Sequence, residues 1–93
     1  LQRTERRIKT VAIDGMSIPI QSLTVSEMEE YWKANTDAKL FQLSIVNNDG
    51  RRVYDDSHLE QLKSLDSAIA VPLRLAIQKH CKMDIDLEEL EKN

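Results

Sequence analysis

The dipeptide Asp14-Gly15 lies between two apolar-rich runs and constrains the fold of this chain more than any other feature. A two-residue type I′ turn needs a positive φ angle at both central residues, and Asp-Gly is one of the pairs that adopt it most readily. The sequence therefore predicts an antiparallel β-hairpin. Its strands should carry Ile8, Val11 and Ile13 before the turn, and Met16, Ile18 and Ile20 after it.

The second strand of this hairpin contains Pro19, which has no N–H to donate to a neighbouring strand. The apolar residues of the strand alternate with Ser17 and Pro19, so one face should be buried and the other should face water. We therefore expect this strand to lie at an edge of its sheet or to pair on one side only.

The segment after the hairpin carries a complete set of helix-start signals. Thr24 is a preferred N-cap residue, and Glu27 stands three residues later, as in a capping box. Leu23 and Met28 occupy the two positions of a hydrophobic staple. These signals predict a helix over about residues 25–35.

Two neighbouring aromatic residues, Tyr31 and Trp32, lie in this predicted helix, and one of them should anchor it against the hairpin. Val25, Met28 and Trp32 fall on one helical face. We expect Trp32 to be the core residue and its neighbour to be partly exposed, although exposed aromatic residues are also common at protein interfaces.

The apolar segment 38–46 fits two kinds of secondary structure. A strand would place its apolar residues in alternation, and a helix capped at residue 36 or 37 would place them in a stripe. Period alone does not decide between them, and helix is the favoured interpretation because of the family resemblance described below. A turn at residues 47–50 and a short extended stretch at 51–54 should follow.

Two further helices are predicted before the C-terminal stretch. The first is short, carries Leu59 and Leu62, and begins at one of three capping residues, Asp55, Asp56 or Ser57. The second is the longest, from Asp66 or Ser67 to about Lys82, with an apolar stripe of Ile69, Leu73, Ala76, Ile77 and His80. Pro72 should kink this helix or mark the first turn of a helix that begins later. Asp86 and Glu89 then indicate a short acidic helix.

Ninety-three residues are enough for one domain, over residues 1–93, and for one modest core. The expected fold class is α+β, with an N-terminal antiparallel hairpin packed against four to five helices. Residues 1–5 and 84–93 are expected to be flexible, because chain ends usually are.

Charge and composition argue against several classes of protein. The net charge is -3 and the pI is about 5.3, whereas a nucleic-acid-binding domain is expected to be basic. No apolar run approaches the length of a membrane span. Cys81 is the single cysteine, which fits a reducing compartment, and the first residues are charged, unlike a signal peptide. These observations predict a cytoplasmic protein.

No group of residues has the pattern of a catalytic or metal-binding site. His80 and Cys81 are adjacent, and a zinc site would need a second pair of ligands. The acidic residues Asp49, Asp55 and Asp56 lack the alternating spacing of a calcium loop and are better explained as turn and capping residues. We therefore expect no enzyme activity, no cofactor and no metal, and we assign no catalytic, cofactor-binding or metal-binding residue.

The run from Phe41 to Leu59, FQLSIVNNDGRRVYDDSHL, resembles bacteriophage tail assembly chaperones. The positions that match the family's turn pattern are Val46, Asp49, Gly50, Val53 and Tyr54. An acidic pair, a short helix and a longer amphipathic helix come next, and the ending at residues 86–93 is also similar. The resemblance covers about residues 20–93.

This resemblance implies a non-enzymatic chaperone that binds the phage tape measure protein in the cytoplasm of the bacterial host and helps to recruit tail tube subunits. An amphipathic helical client would bind in an apolar groove, for which the 66–82 helix and the 38–46 segment are the expected walls. The resemblance fixes no individual protein-binding residue.

Two alternatives remain: a small structural or adaptor protein of a phage or prophage particle, and, less favoured because of the charge, a nucleic-acid-binding regulator. Self-association is a further expectation, because the basic cluster Arg3 to Lys9 and the acidic stretch Asp84 to Glu91 are opposite in charge.

Overall fold

The computed structural model describes residues 6–82 of the chain. This part has an α+β architecture, as predicted, with one two-stranded antiparallel sheet and four α-helices. The elements are β1 Ile8–Ile13, β2 Met16–Gln21, α1 Val25–Ala34, α2 Asp37–Ser44, α3 Leu59–Lys63 and α4 Ser67–His80, with a 3₁₀ turn at Asp56–His58 that leads into α3. The expected flexible ends, 1–5 and 84–93, and the acidic helix near Asp86 lie outside the described residues.

The N-terminal hairpin forms as the Asp-Gly signal predicted. β1 and β2 pair in a register that runs from Ile13 opposite Met16 at the turn to Ile8 opposite Gln21 at the open end. Asp14 has a φ angle of 50° and Gly15 has one of 77°, as the type I′ turn requires.

Strand β2 is paired by a full strand on one side only, as Pro19 predicted. Its other edge meets the residues after α2, where Ile20 and Ile45 form an isolated antiparallel bridge. There the Val46 N–H donates to the Pro19 carbonyl at 3.1 Å, so Pro19 serves as an acceptor at the edge where it has no donor.

Helix α1 begins at the predicted capping box. The Glu27 N–H donates to Thr24 Oγ1 at 3.2 Å, and the Thr24 N–H donates to Glu27 Oε1 at 2.9 Å. The helix ends at Asn35, which has a left-handed φ angle of 54° and whose N–H donates to the Tyr31 carbonyl at 2.7 Å.

The prediction for the buried face of α1 was wrong. Trp32 is 58% exposed and Val25 is 72% exposed, whereas Tyr31 packs against the core. Glu27 is only 6% exposed, because its carboxylate is held by Arg6 and by an arginine far along the chain. Burying this ion-pair cluster turns the apolar face of the helix toward solvent.

The ambiguous segment 38–46 is mainly helical. Helix α2 is capped by Thr36, whose Oγ1 accepts from the Lys39 N–H at 3.3 Å. The helix stops at Ser44, where Ile45 and Val46 become extended and form bridges with β2 and with Arg52. The favoured helix is therefore confirmed for residues 37–44, and the last two residues are extended.

Asp55 and Asp66, two of the predicted capping residues, form cap hydrogen bonds at the 3₁₀ turn before α3 and at the start of α4. Asp55 caps the 3₁₀ turn through a 2.9 Å bond from the Ser57 N–H, and Asp66 caps α4 through a 3.3 Å bond from the Ala68 N–H. The proposal that Pro72 marks the start of a later helix was wrong, because α4 begins at Ser67 and runs through Pro72. A kink at Pro72 stays a prediction.

The core lies between the hairpin and the helices α2, α3 and α4, and its largest fully buried side chain is that of Phe41. Leu73 and Ile77 of the predicted stripe on α4 are 1% and 0% exposed. The apolar core cluster comprises Ile13, Ile20, Ala38, Leu40, Phe41, Ile45, Leu62, Leu73 and Ile77. Within residues 6–82, every helix is too short or too polar to cross a bilayer.

Gly50 is the position of the 47–50 turn at which a side chain is least tolerable. Its φ angle is +81°, and a Cβ atom there would lie 3.1 Å from Gln21 Oε1 and 3.2 Å from Ile8 Cδ1. Gly15 has a similar φ angle of +77° but no atom within 4 Å of such a Cβ.

We expect Gly50→Ala to destabilise the protein more than Gly15→Ala. Both substitutions carry the cost of a left-handed backbone, about 1–2 kcal/mol, and only Gly50→Ala must also displace Gln21 and Ile8. Urea unfolding followed by circular dichroism compares the two variants, and equal losses would show that the turn does not pack closely on the hairpin.

Candidate functional site

An apolar groove opens between the hairpin and the C-terminal half of the described chain, with a volume of about 270 Å³. Its walls come from β2, the end of α2, the loop before α3, helix α3, the α3–α4 loop and helix α4. Every lining residue is apolar or aromatic: Met16, Ile18, Ile45, Tyr54, Leu62, Leu65, Ile69 and Leu73.

The hairpin wall of the groove follows from the alternation of β2. Met16, Ile18 and Ile20 point to the same face of the strand. Ile20 is 0% exposed, Ile18 is half-buried, and Met16 is 42% exposed. The exposure of these side chains therefore increases from Ile20 toward the turn, and the apolar side chains at the turn end of β2 are accessible from solvent.

The helical wall places side chains from α4 beside those of α3 and the loop that joins the two helices. Ile69 and Leu73 are four residues apart on α4 and therefore share one face. Ile45 joins them from the residue that follows α2. The two segments expected to form its walls, 38–46 and 66–82, thus both contribute side chains to this groove.

Tyr54 is held at the groove by contacts on both sides. Its ring meets that of His58 edge-on, with centroids 5.5 Å apart and an angle of 70° between the ring planes. Its carbonyl accepts from Gln42 Nε2 at 3.4 Å. Hydrogen bonds from the side chain and backbone of Ser57 lower the pKa of the neighbouring Asp55 carboxyl, because they stabilise its charged form. The local sequence thus fixes the backbone that presents the tyrosine.

A second, more polar depression lies beside the groove and has a volume of about 490 Å³. Leu62 and Leu65 line both, so they form the ridge between them. Asp37 lies in the wall of the second depression and forms an ion pair with Arg74 on α4, in which Arg74 Nη1 lies 3.0 Å from Asp37 Oδ2. The two depressions therefore differ in chemistry, and only the first is lined entirely by apolar and aromatic residues.

The basic residues at the start of the described chain are used within the fold. Arg6 and Arg52 both contact the buried carboxylate of Glu27, one at each oxygen. Arg7 Nη2 donates to the His80 carbonyl at 3.1 Å, and the His80 ring Nε2 lies 2.9 Å from the Arg7 carbonyl oxygen. These contacts tie both ends of the described chain together.

The residues that were weighed as catalytic or metal-binding candidates have roles in packing, ion pairing and turns. Burial raises the pKa of the half-buried Cys81 thiol, which packs against the core. Asp56 pairs with Lys39 at 2.9 Å, and Asp49 lies in the turn before Gly50. In the part of the chain that the structure describes, no three His, Cys, Asp or Glu side chains are grouped so as to hold a metal ion.

The groove was only partly foreseeable from the sequence. Ile69 and Leu73 were predicted as an apolar stripe, but the helical period does not say which end of that stripe stays open to solvent. Leu65 and Tyr54 carried no signal that would assign them to the site. Comparisons with protein-family models, with curated proteins and with solved structures find no significant match to this chain.

Proposed function

We propose that this chain is a non-enzymatic chaperone that holds an amphipathic helix of a phage tape measure protein in the apolar groove. The observation that carries the proposal is the groove itself, in which all eight lining residues are apolar or aromatic and come from several separate elements. Amphipathic helices bind to apolar surfaces through side chains at positions i, i+3, i+4 and i+7, and one or two of these would enter this groove.

The lining of the groove favours an apolar protein side chain over a small molecule as its occupant. Small-molecule sites usually enclose about 300–1,000 Å³ and contain a few convergent polar groups. This groove has about 270 Å³ and no charged side chain in its lining. It therefore suits one or two large apolar side chains of a client whose remaining surface stays outside.

The choice of client comes from the resemblance at residues 41–59 and from the chemistry of the surface. A tape measure protein is long and helical, and its exposed apolar stripes must be kept out of water for it to stay soluble before the tail is assembled. The proposed chaperone covers such a stripe in the cytoplasm of the bacterial host and helps to recruit tail tube subunits. This assignment includes no cofactor and no bound metal.

Met16→Glu tests the proposal, because it places a charge at the accessible end of the groove. The client's apolar side chain would then have to contact a carboxylate, and we expect the affinity for tape measure segments to fall at least about tenfold, equivalent to about 1.4 kcal/mol. Val71→Glu is the matched control, since Val71 is 40% exposed, against 42% for Met16, and lies outside the groove lining.

The measurement is retention of purified tape measure segments on the immobilised wild-type protein and on each variant. Retention that is lost with Met16→Glu and kept with Val71→Glu supports the proposal. No retention by the wild-type protein, or equal retention by both variants, counts directly against it.

A further inference from the structure

The apolar face of α1 has no partner within the described part of the chain. Val25, Met28 and Trp32 lie on this face, because residues spaced by three, four and seven positions share one side of a helix. Val25 and Trp32 are 72% and 58% exposed, and Met28 is half-buried. Tryptophan is the residue type most often found at the energetic centre of protein interfaces, together with tyrosine and arginine.

Two charged residues border this face on the same side. Glu29 and Lys33 are four residues apart, both are exposed, and neither forms an ion pair in residues 6–82. The order along the helix is acidic first and basic second. In an antiparallel copy of the same helix the order is reversed, so the two borders are complementary in charge.

We propose that this protein forms a homodimer in which α1 packs antiparallel against α1 of a second copy. A two-fold axis through the middle of the interface makes the contact isologous, so each copy uses the same surface. Near the axis, Trp32 of one copy then packs against Met28 and Trp32 of the other, and Val25 lies at the outer end of the contact. Glu29 of each copy lies opposite Lys33 of its partner, which forms two symmetry-related ion pairs.

The charge pattern selects the antiparallel arrangement over the parallel one. Each helix has two rows of residues that flank its apolar stripe, one on the left and one on the right. In an antiparallel pair, the left row of one helix lies beside the left row of the other, whereas in a parallel pair it lies beside the right row. The opposite border of α1 carries Tyr31 and Asn35, which offer no charge to Glu29 or Lys33. Only the antiparallel pair matches both charges.

The dimer should be weak, because α1 has ten residues and spans only about 15 Å. Interfaces of this size fall at the low end of specific complexes, which bury less than about 1,200 Å². Dimerisation should therefore be visible between micromolar and millimolar concentration. Trp32 is the single tryptophan of the chain and so reports directly on burial of this face.

Charge reversal combined with sedimentation velocity tests the proposal. Glu29→Lys and Lys33→Glu each turn two attractive pairs into repulsive ones, so each should weaken dimerisation about tenfold. The double variant restores both pairs and should dimerise within about threefold of the wild-type protein. In the wild-type protein and the double variant, the emission maximum of Trp32 should shift to the blue as the concentration rises.

Glu30→Lys is the matched control, because it makes the same charge change on a different side of the same helix. It should leave the dimer dissociation constant within about threefold of wild type. The proposal is overturned if the wild-type protein stays monomeric at millimolar concentration. It is equally overturned if the double variant is as weak as the single ones, or if Glu30→Lys weakens dimerisation as much as Glu29→Lys.

Discussion

Replacing Glu27 by alanine should lower the free energy of unfolding by about 3 kcal/mol, because it removes the anion from a buried ion-pair cluster. The Glu27 side chain is 8% exposed and contacts both Arg6 and Arg52. Without it, two guanidinium groups face each other with no charge between them. The pKa of Arg6 is already lowered by burial and by the charge of Arg52, so the loss of the carboxylate leaves this arginine in an unfavourable position.

The same carboxylate has a second role that a separate variant isolates. Its Oε1 accepts from the Thr24 N–H at 2.9 Å, which closes the capping box at the start of α1. Glu27→Gln keeps an oxygen for this bond and removes only the charge. We expect Glu27→Gln to be less destabilising than Glu27→Ala, since the capping bond contributes about 1 kcal/mol.

Urea unfolding at neutral pH, followed by circular dichroism, measures both losses. Glu29→Ala is the control, because it removes a glutamate from the solvent-exposed side of the same helix and should change stability by no more than about 0.5 kcal/mol. If Glu27→Ala lowers the free energy of unfolding no more than Glu29→Ala does, the ion-pair cluster does not hold the residues before β1, helix α1 and the 47–52 region together.

Replacing Phe41 by alanine should lower the free energy of unfolding by about 3–5 kcal/mol, because it leaves a cavity in the centre of the core. Phe41 is 1% exposed and is the largest fully buried side chain. A domain of this size has a total stability of about 5–15 kcal/mol, so the variant should be close to unfolding at physiological temperature.

The contrasting variant is Trp32→Ala, which removes a larger aromatic side chain from the surface. Trp32 is 58% exposed, so at low micromolar concentration, where the protein is monomeric, we expect a change within about 0.5 kcal/mol. Thermal and urea unfolding of the two variants compare them directly. A loss for Trp32→Ala as large as that for Phe41→Ala would contradict the placement of α1 in this fold.

Features set by neighbouring residues were predictable from the sequence. Asp14-Gly15 determines the hairpin turn, Thr24 and Glu27 determine the start of α1, and Asp66 determines the start of α4. In each case the physical cause is a backbone angle or a cap hydrogen bond within four residues. The edge position of β2 was predictable for the same kind of reason, because Pro19 lacks a donor.

Features set by distant residues were not predictable. The helical period on α1 identified an apolar face correctly, but the direction of that face depends on Arg6 and Arg52, which lie 21 and 25 residues from Glu27 in the sequence. The end of α2 depends likewise on the bridge between Ile45 and Ile20. Long-range contacts of this kind leave no local pattern.

The groove combines both kinds of information. The apolar periods of β2 and α4 predicted which faces are apolar, and only the packing of the hairpin over α4 leaves Met16, Ile18 and Ile69 around a shared opening. The sequence therefore predicted the apolar faces that line the groove, but not where in the fold these faces meet.

The most direct test of the account is to map where a tape measure helix binds. Amide chemical shifts of the ¹⁵N-labelled protein, recorded while an amphipathic tape measure peptide is added, locate the contact residue by residue. We expect the shifts to cluster on the groove residues, including Ile18, Leu65 and Ile69, and to leave the exposed face of α1 unchanged. Shifts that are absent, or that cluster on α1 instead, would contradict the claim that this groove holds the client.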